Sequence, residues 1–196
     1  MDRFPALPYP GERPDGSYIV QDGHVRGLDP AGDGWVDRVK AEPVSLDGRS
    51  FVLAYGSNAN PEKLSEKLDG NVLALRCQVH DYAAMWSSRR RQEGSVVATI
   101  VADPGHVEIQ HVLAVTEDQL AEMNRWEGHP KYYERQVFPD GFVLLESGAM
   151  ASDVLVYIGT AGERPPLLVD GAYWRTSEHS HAEVDALLRT RDGNDR

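Results

Sequence analysis

The sequence predicts an α+β fold, a sheet-rich core with a few short flanking helices, and three observations carry that prediction. Short β-branched or alternating apolar segments follow one another between turn residues, the pattern of strands. Two S/T-x-x-E/Q patterns and one Asn-Pro pair mark helix starts. A length of 196 residues with 41% hydrophobic content suits one domain able to bury a sizeable core.

Taken in order, residues 1–48 hold half of the prolines, with scattered apolar positions and no sustained period. They are expected to form an extended arm. Phe4, Leu7, Tyr9, Tyr18, Ile19, Val20, Trp35 and Val36 are too many large apolar groups for a solvated tail, so part of the arm should lie on the core or on a partner chain. Residues 49–190 form the main domain. It opens on FVLAY (51–55), a continuous apolar run typical of a buried strand, which stops at Gly56-Ser57-Asn58. Asn60 is placed to cap a helix, Pro61 suits its first position, and Leu64 and Leu68 fall one turn apart.

Strands are expected at 72–79, 83–87, 96–102 and 110–115, with Asp103-Pro104-Gly105 as a turn between the last two. Thr116 and Gln119 form a capping box opening a helix that ends near Gly128 and Pro130. Residues 132–138 and 142–146 flank Pro139-Asp140-Gly141 like a hairpin, and 153–158 supply a further strand. Ser180 and Glu183 cap a short helix carrying Val184, Leu187 and Leu188, and 191–196 reads as a frayed tail.

Charge and cysteine usage narrow the function. Twenty Lys and Arg against 31 Asp and Glu give a formal charge of −11, which repels phosphate backbones and anionic membrane surfaces. The expectation is no nucleic acid and no membrane. One cysteine, Cys77, cannot form an internal disulfide, and the first residues lack the basic and apolar order of a secretory signal, so a cytoplasmic protein is expected.

Two segments point to chemistry. A strand running through Tyr55-Gly56-Ser57-Asn58 into a helix gathers backbone N–H groups around one small space, sized for a carboxylate or an oxyanion. Alone, such a tetrapeptide is more often a plain turn. Glu127 is a carboxylate at a helix exit beside Trp126; exclusion of water by that indole or by other apolar groups would make it a usable proton shuttle. Alone, it is more often a solvated surface residue. Three lesser features are weighed beside them. Glu178-His179-Ser180-His181 offers two imidazoles but no third metal ligand, Arg89-Arg90-Arg91 reads mainly as a solvated basic run, and Cys77 as an inert buried thiol.

Together, FVLAYGSNANPEKL, VTEDQLAEMNRWEGHPKYYERQV and VLVYIG, spread over 51–158 in this order, resemble the gamma-glutamylcyclotransferase-like family, including its AIG2-like branch. The resemblance implies a compact mixed β-barrel with flanking helices, its pocket built by the YGSN loop with a glutamate opposite. By the family's pattern Tyr55, Gly56, Ser57 and Asn58 match the substrate loop, Glu127 the catalytic acid/base and Tyr133 a pocket tyrosine. Arg135 matches a recurrent arginine with a structural role. Asn58, where glutathione-degrading relatives carry leucine, implies a gamma-glutamyl amino acid or gamma-glutamyl amine as substrate. Ala59, in place of a frequent leucine, and the arm depart from the pattern, and the resemblance stops at Gly159.

The implied reaction is intramolecular. The substrate's α-amine attacks its own γ-carbonyl, closes 5-oxoproline and expels an amine, with Glu127 moving protons and no cofactor required. The expected partner is this small molecule, with a homodimer left open. The alternatives are a non-catalytic binding or interaction module on the same fold, and a step in which the amine belongs to a larger metabolite.

Overall fold

The computed structural model describes residues 4–32, 34–91 and 93–194; residues 1–3 and 33 of the expected arm and 195–196 of the expected tail lie outside them. The strands are β1 (Tyr18–Gln21), β2 (His24–Ala31), β3 (Gly34–Asp37), β4 (Glu42–Val44), β5 (Ser50–Ala54), β6 (Val72–Arg90) and β7 (Val96–Val115), followed by β8 (Tyr133–Val137), β9 (Val143–Leu145), β10 (Leu155–Gly159), β11 (Leu168–Val169) and β12 (Ala172–Tyr173). The helices are α1 (Pro61–Lys67), α2 (Glu117–Trp126) and α3 (His181–Asn194), with a single 3₁₀ turn at Ser57–Ala59. The fold is α+β. Its main sheet runs β4-β3-β2-β1-β6-β7-β5-β10-β8, with β9 joined to β6. Among the described residues this mixed barrel does not close by hydrogen bonding, and β4 and β8 are its free ends.

The core explains the continuous apolar runs. Along β5, Leu53 packs into one cluster with Leu73, Leu75, Val112 and Ala114, while Val52 and Ala54 pack into a second with Val72, Ala74, Leu113 and Val115. A strand buried on both faces cannot alternate with polar residues, so FVLAY reads as an unbroken run. Leu64 of α1 and Met123 of α2 close the second cluster, and Val184 and Leu188 of α3 cover Trp86 in a third.

Several expectations change here. From Tyr18 to Val44 the arm is four strands of the main sheet, with β1 antiparallel to β6. Tyr18, Ile19, Val20 and Trp35 are buried accordingly, and Tyr18 donates its hydroxyl to the Ala59 carbonyl. The segments 72–79 and 83–87 are one strand, β6, and 96–102 and 110–115 are one strand, β7. Asp103-Pro104-Gly105 is a bulge rather than a turn. Register jumps from His80↔Val107 to Tyr82↔Ala102, and the Gly105 N–H donates to the Asp81 carboxylate at 2.6 Å. No hairpin forms across Pro139-Asp140-Gly141, because β8 pairs with β10 and β9 with β6. Both capping boxes form, at Thr116/Gln119 and at Ser180/Glu183. Helix α3 runs on to Asn194, through most of the expected tail.

Candidate active site

The first wall of the site grows from β5. After Ala54 the chain turns through Gly56, whose φ of −125° is open to any residue. With Tyr9 seated, a Cβ at 56 would stand 2.4 Å from its hydroxyl oxygen, so a larger residue there requires the phenol to shift. In the 3₁₀ turn Ala59 N–H donates to the Gly56 carbonyl and Asn60 N–H to that of Ser57. The Ser57 and Asn58 amides, at the start of that turn, have no intrahelical acceptor. Asn60 then caps α1, its side-chain oxygen accepting from Lys63 N–H at 2.9 Å.

The second wall is the exit of α2. Glu127 is its C-cap, and Gly128 follows in the left-handed region at φ +60°, with its N–H donated to the Arg125 carbonyl and that of His129 to Asn124. Such a helix stop favours glycine, and a Cβ at 128 would lie 2.5 Å from the Tyr132 ring. The Glu-Gly pair is thus a terminator that sets the carboxylate at the pocket. Glu127 is 9% exposed, whereas Trp126 is 52% exposed, so the indole is not what shields it. The Lys67 ammonium instead lies 5.6 Å from the Trp126 ring centre.

Asn58 joins the walls. Its Nδ2 donates to Glu127 Oε1 at 2.7 Å and its Oδ1 accepts from Lys67 Nζ at 2.8 Å, giving the chain Lys67, Asn58, Glu127. Burial lowers the Lys67 pKa below its usual range, and the Glu127 charge acts against that shift. The buried carboxylate is therefore held by an amide whose own orientation is set by a cation.

Tyrosines make the floor. Tyr55 donates its hydroxyl to the Tyr157 carbonyl, and Tyr133 to the Ala98 carbonyl at 2.8 Å. Burial pushes both phenols well above their ordinary 10, so each is a neutral donor at physiological pH. Tyr157 donates to Asn124 Oδ1 at 2.9 Å, and Arg135 donates to the same oxygen at 3.1 Å. Arg135 thereby ties β8 to α2 and has a structural part, as its family match implies.

Tyr55, Gly56, Ser57, Asn58, Glu127 and Tyr133 all line one pocket, although they come from three separate stretches of chain. The lining also includes Arg91, from the basic run read mainly as solvated, and Tyr9, from the arm. Arg91 enters it while Arg89 donates to the Gly162 carbonyl and Arg90 pairs with Asp185, so the basic run divides among three tasks. Tyr9 enters from the arm, and its only signal was an aromatic residue in a Pro-rich segment. The free cavity is about 30 Å³.

The lesser candidates lie elsewhere. His179 stacks on Trp174 at 3.9 Å between ring centres, and His181 meets Trp86 edge-on at 5.7 Å. Cys77 is buried, which pushes its thiol up to about 12. Among the described residues no helix is long and apolar enough to cross a membrane.

Residues 52–176 match the family model described as gamma-glutamyl cyclotransferase, AIG2-like. The chain belongs to this family. The match covers more than half of the chain and passes Gly159, where the motif resemblance ends, to reach Thr176. Solved structures share the fold. An uncharacterized protein from Homo sapiens is 19% identical with a TM-score of 0.52, covering 61% of this chain and 72% of that one. A structure described as gamma-glutamyl cyclotransferase is 16% identical with a TM-score of 0.52, covering 74% and 80%. A protein from Arabidopsis thaliana is 20% identical with a TM-score of 0.50, covering 76% and 93%. No curated protein matches the sequence.

Proposed function

We propose that the protein cyclises a gamma-glutamyl amide, either a gamma-glutamyl amino acid or a gamma-glutamyl amine, to 5-oxoproline and releases the amine, with Glu127 as general acid/base. One observation carries the reading. A buried carboxylate, oriented by Asn58 at 2.7 Å, lies in a pocket also lined by Ser57 and Asn58 of the 3₁₀ turn. In a family of gamma-glutamyl cyclotransferases, that arrangement supplies both functions the reaction needs.

The chemistry is economical because nucleophile and electrophile belong to one molecule. Folding the substrate so that its α-nitrogen meets the carbon of its γ-carbonyl replaces a bimolecular encounter. Glu127 takes a proton from the α-ammonium, and the freed amine attacks the γ-carbonyl, forming the new C–N bond. The tetrahedral carbon then expels the original amide nitrogen. Two protons leave the α-nitrogen and two arrive at the leaving nitrogen, so Glu127 ends as the carboxylate it began as. In this reading the Ser57 and Asn58 amides hold an anion, either the α-carboxylate or the oxyanion of the tetrahedral carbon. Loss of one oxyanion donor costs about 3–4 kcal/mol in other enzymes.

A non-catalytic binding or interaction module on the same fold is the second reading, since the pocket, lined in part by the protein's own Tyr9, has only about 30 Å³ free. Incubation with gamma-glutamyl amino acids, gamma-glutamyl amines and glutathione, followed by mass spectrometry for 5-oxoproline, decides between them. Release from a gamma-glutamyl amide supports the enzyme. Binding of such compounds without release supports the module.

A further inference from the structure

Tyr9 belongs to a loop outside the sheet. Residues 4–12 close on themselves, Gly11 N–H donating to the Pro8 carbonyl and Glu12 N–H to that of Pro5. The loop is clasped to the start of α1. Asn60 Nδ2 lies 2.6, 2.9 and 3.2 Å from the carbonyl oxygens of Glu12, Phe4 and Pro5, and Ala6 N–H donates to the Glu62 carboxylate at 3.1 Å. From this loop the Tyr9 ring leans on Trp86, with 5.6 Å between ring centres. Its hydroxyl accepts from Ala98 N–H at 3.1 Å and presses against Gly56.

Tyr9 lines the same pocket as Glu127. Beside it is the 3₁₀ turn with its open amides, and both Glu127 and Arg91 act electrostatically on the Tyr9 phenol. Ala98 N–H is a strand donor satisfied by a side chain instead of by a neighbouring strand. The remaining 30 Å³ holds a few waters at most, against about 300–1,000 Å³ for an ordinary small-molecule site. A gamma-glutamyl group is many times a water's volume and does not fit beside the ring.

We propose that Tyr9 is an internal stand-in for the substrate: its hydroxyl occupies the site of a substrate oxygen at Ala98 N–H, and a gamma-glutamyl group enters by displacing the 4–12 loop. The substrate named here rests on the function proposed above, whereas the occupancy of the pocket does not. Ala98 N–H is thereby a further binding group, passed from the phenol to the incoming carboxylate or carbonyl. The arm also sets an affinity threshold, because a ligand that competes with a seated loop binds in proportion to the fraction of open molecules.

The test has two arms on the full chain. A Ser57→Cys substitution places a thiol in the pocket, and its alkylation by iodoacetamide is timed with and without Tyr9→Ala; buried Cys77 serves as the slow internal reference. Tyr9→Ala should accelerate labelling about tenfold or more, for a loop seated about nine tenths of the time. Glu62→Ala, which opens one clasp at an exposed helix position, should act in the same direction by a smaller factor and keeps the test valid if Tyr9→Ala does not fold. Equal rates in all three proteins overturn the proposal. In the second arm, calorimetry on Glu127→Gln with gamma-glutamyl-alanine should show affinity rising about tenfold when Tyr9→Ala is added. Weaker binding would make Tyr9 a wall of the occupied pocket and overturn displacement. Faster labelling with no binding of gamma-glutamyl-alanine in either protein keeps the occupied pocket and overturns the gamma-glutamyl reading.

Discussion

The two sides of the pocket are built by different logic. On the Glu127 side every group is seated by its own local element: a 3₁₀ turn after β5, a helix stop at Gly128, and an amide bridging the two. On the Tyr9 side nothing local holds the phenol, which is positioned by contacts with Ala98, Gly56 and Trp86, far away in the chain. The first side is a fixed set of polar groups. The second is a clasped loop whose removal exposes them. In this protein the chemistry and the access to it are therefore separable, and substitutions should sort accordingly.

The arm's attachment gives the largest stability effect. His111 on β7 donates its Nε2–H to the Gly16 carbonyl at 3.2 Å, meets Tyr18 edge-on, and leaves its Nδ1 without a partner. Burial drives its pKa from 6.5 down to about 4. The fold therefore holds the neutral ring. Its contribution is complete above pH 6.5 and is lost as pH falls from 6.5 toward 4, by up to about 3 kcal/mol. Urea titrations at about pH 7.5 and about pH 5 should show the loss in wild type and a smaller one in His111→Gln. An equal loss in both would separate the arm from this histidine.

On the other side, Asn58→Ala removes the donor on Glu127 Oε1 and frees Lys67. Hydrogen bonds to charged groups are worth about 1.5–3 kcal/mol of stability, so the melting temperature should fall, and kcat should fall about tenfold or more as the carboxylate loses its orientation. A fall in stability without loss of turnover would make Asn58 structural. Thr116→Ala should give the smallest effect, about 1 kcal/mol of stability from the lost cap, with kcat/KM preserved because α2 still ends at Gly128. A large loss of activity would show that Glu127 depends on the far end of its helix.

The same contrast explains what could be read from the sequence. Asn60, the Thr116/Gln119 box and the Glu127-Gly128 stop act within a few residues of themselves, so their patterns carried into the structure directly. The site's grouping of Tyr55 through Asn58 with Glu127 and Tyr133 was legible only through family resemblance, since no local rule joins segments some 70 residues apart. Elsewhere distant partners overrode local signals. Asp103-Pro104-Gly105 has turn chemistry, yet Asp81 on β6 captures the Gly105 N–H and the strand continues. Residues 133–137 and 143–145 flank a turn, yet the edges of β10 and β6 compete for them and win. β1 joins the sheet because β6 offers an edge to Tyr18–Val20, which the broken periodicity of a Pro/Gly-rich segment conceals. Tyr9 is a further case, with a hydrogen-bond partner 89 residues away.

Under the proposed function one carboxylate moves the protons of a cyclisation. The direct measurement is 5-oxoproline release under saturating gamma-glutamyl amide by wild type and by Glu127→Gln, with ligand affinity of the variant measured alongside. Glu127→Gln is expected to keep its fold and its affinity while turnover falls by about 10²- to 10⁴-fold, the span of general acid/base contributions. Undiminished release by Glu127→Gln would contradict that role.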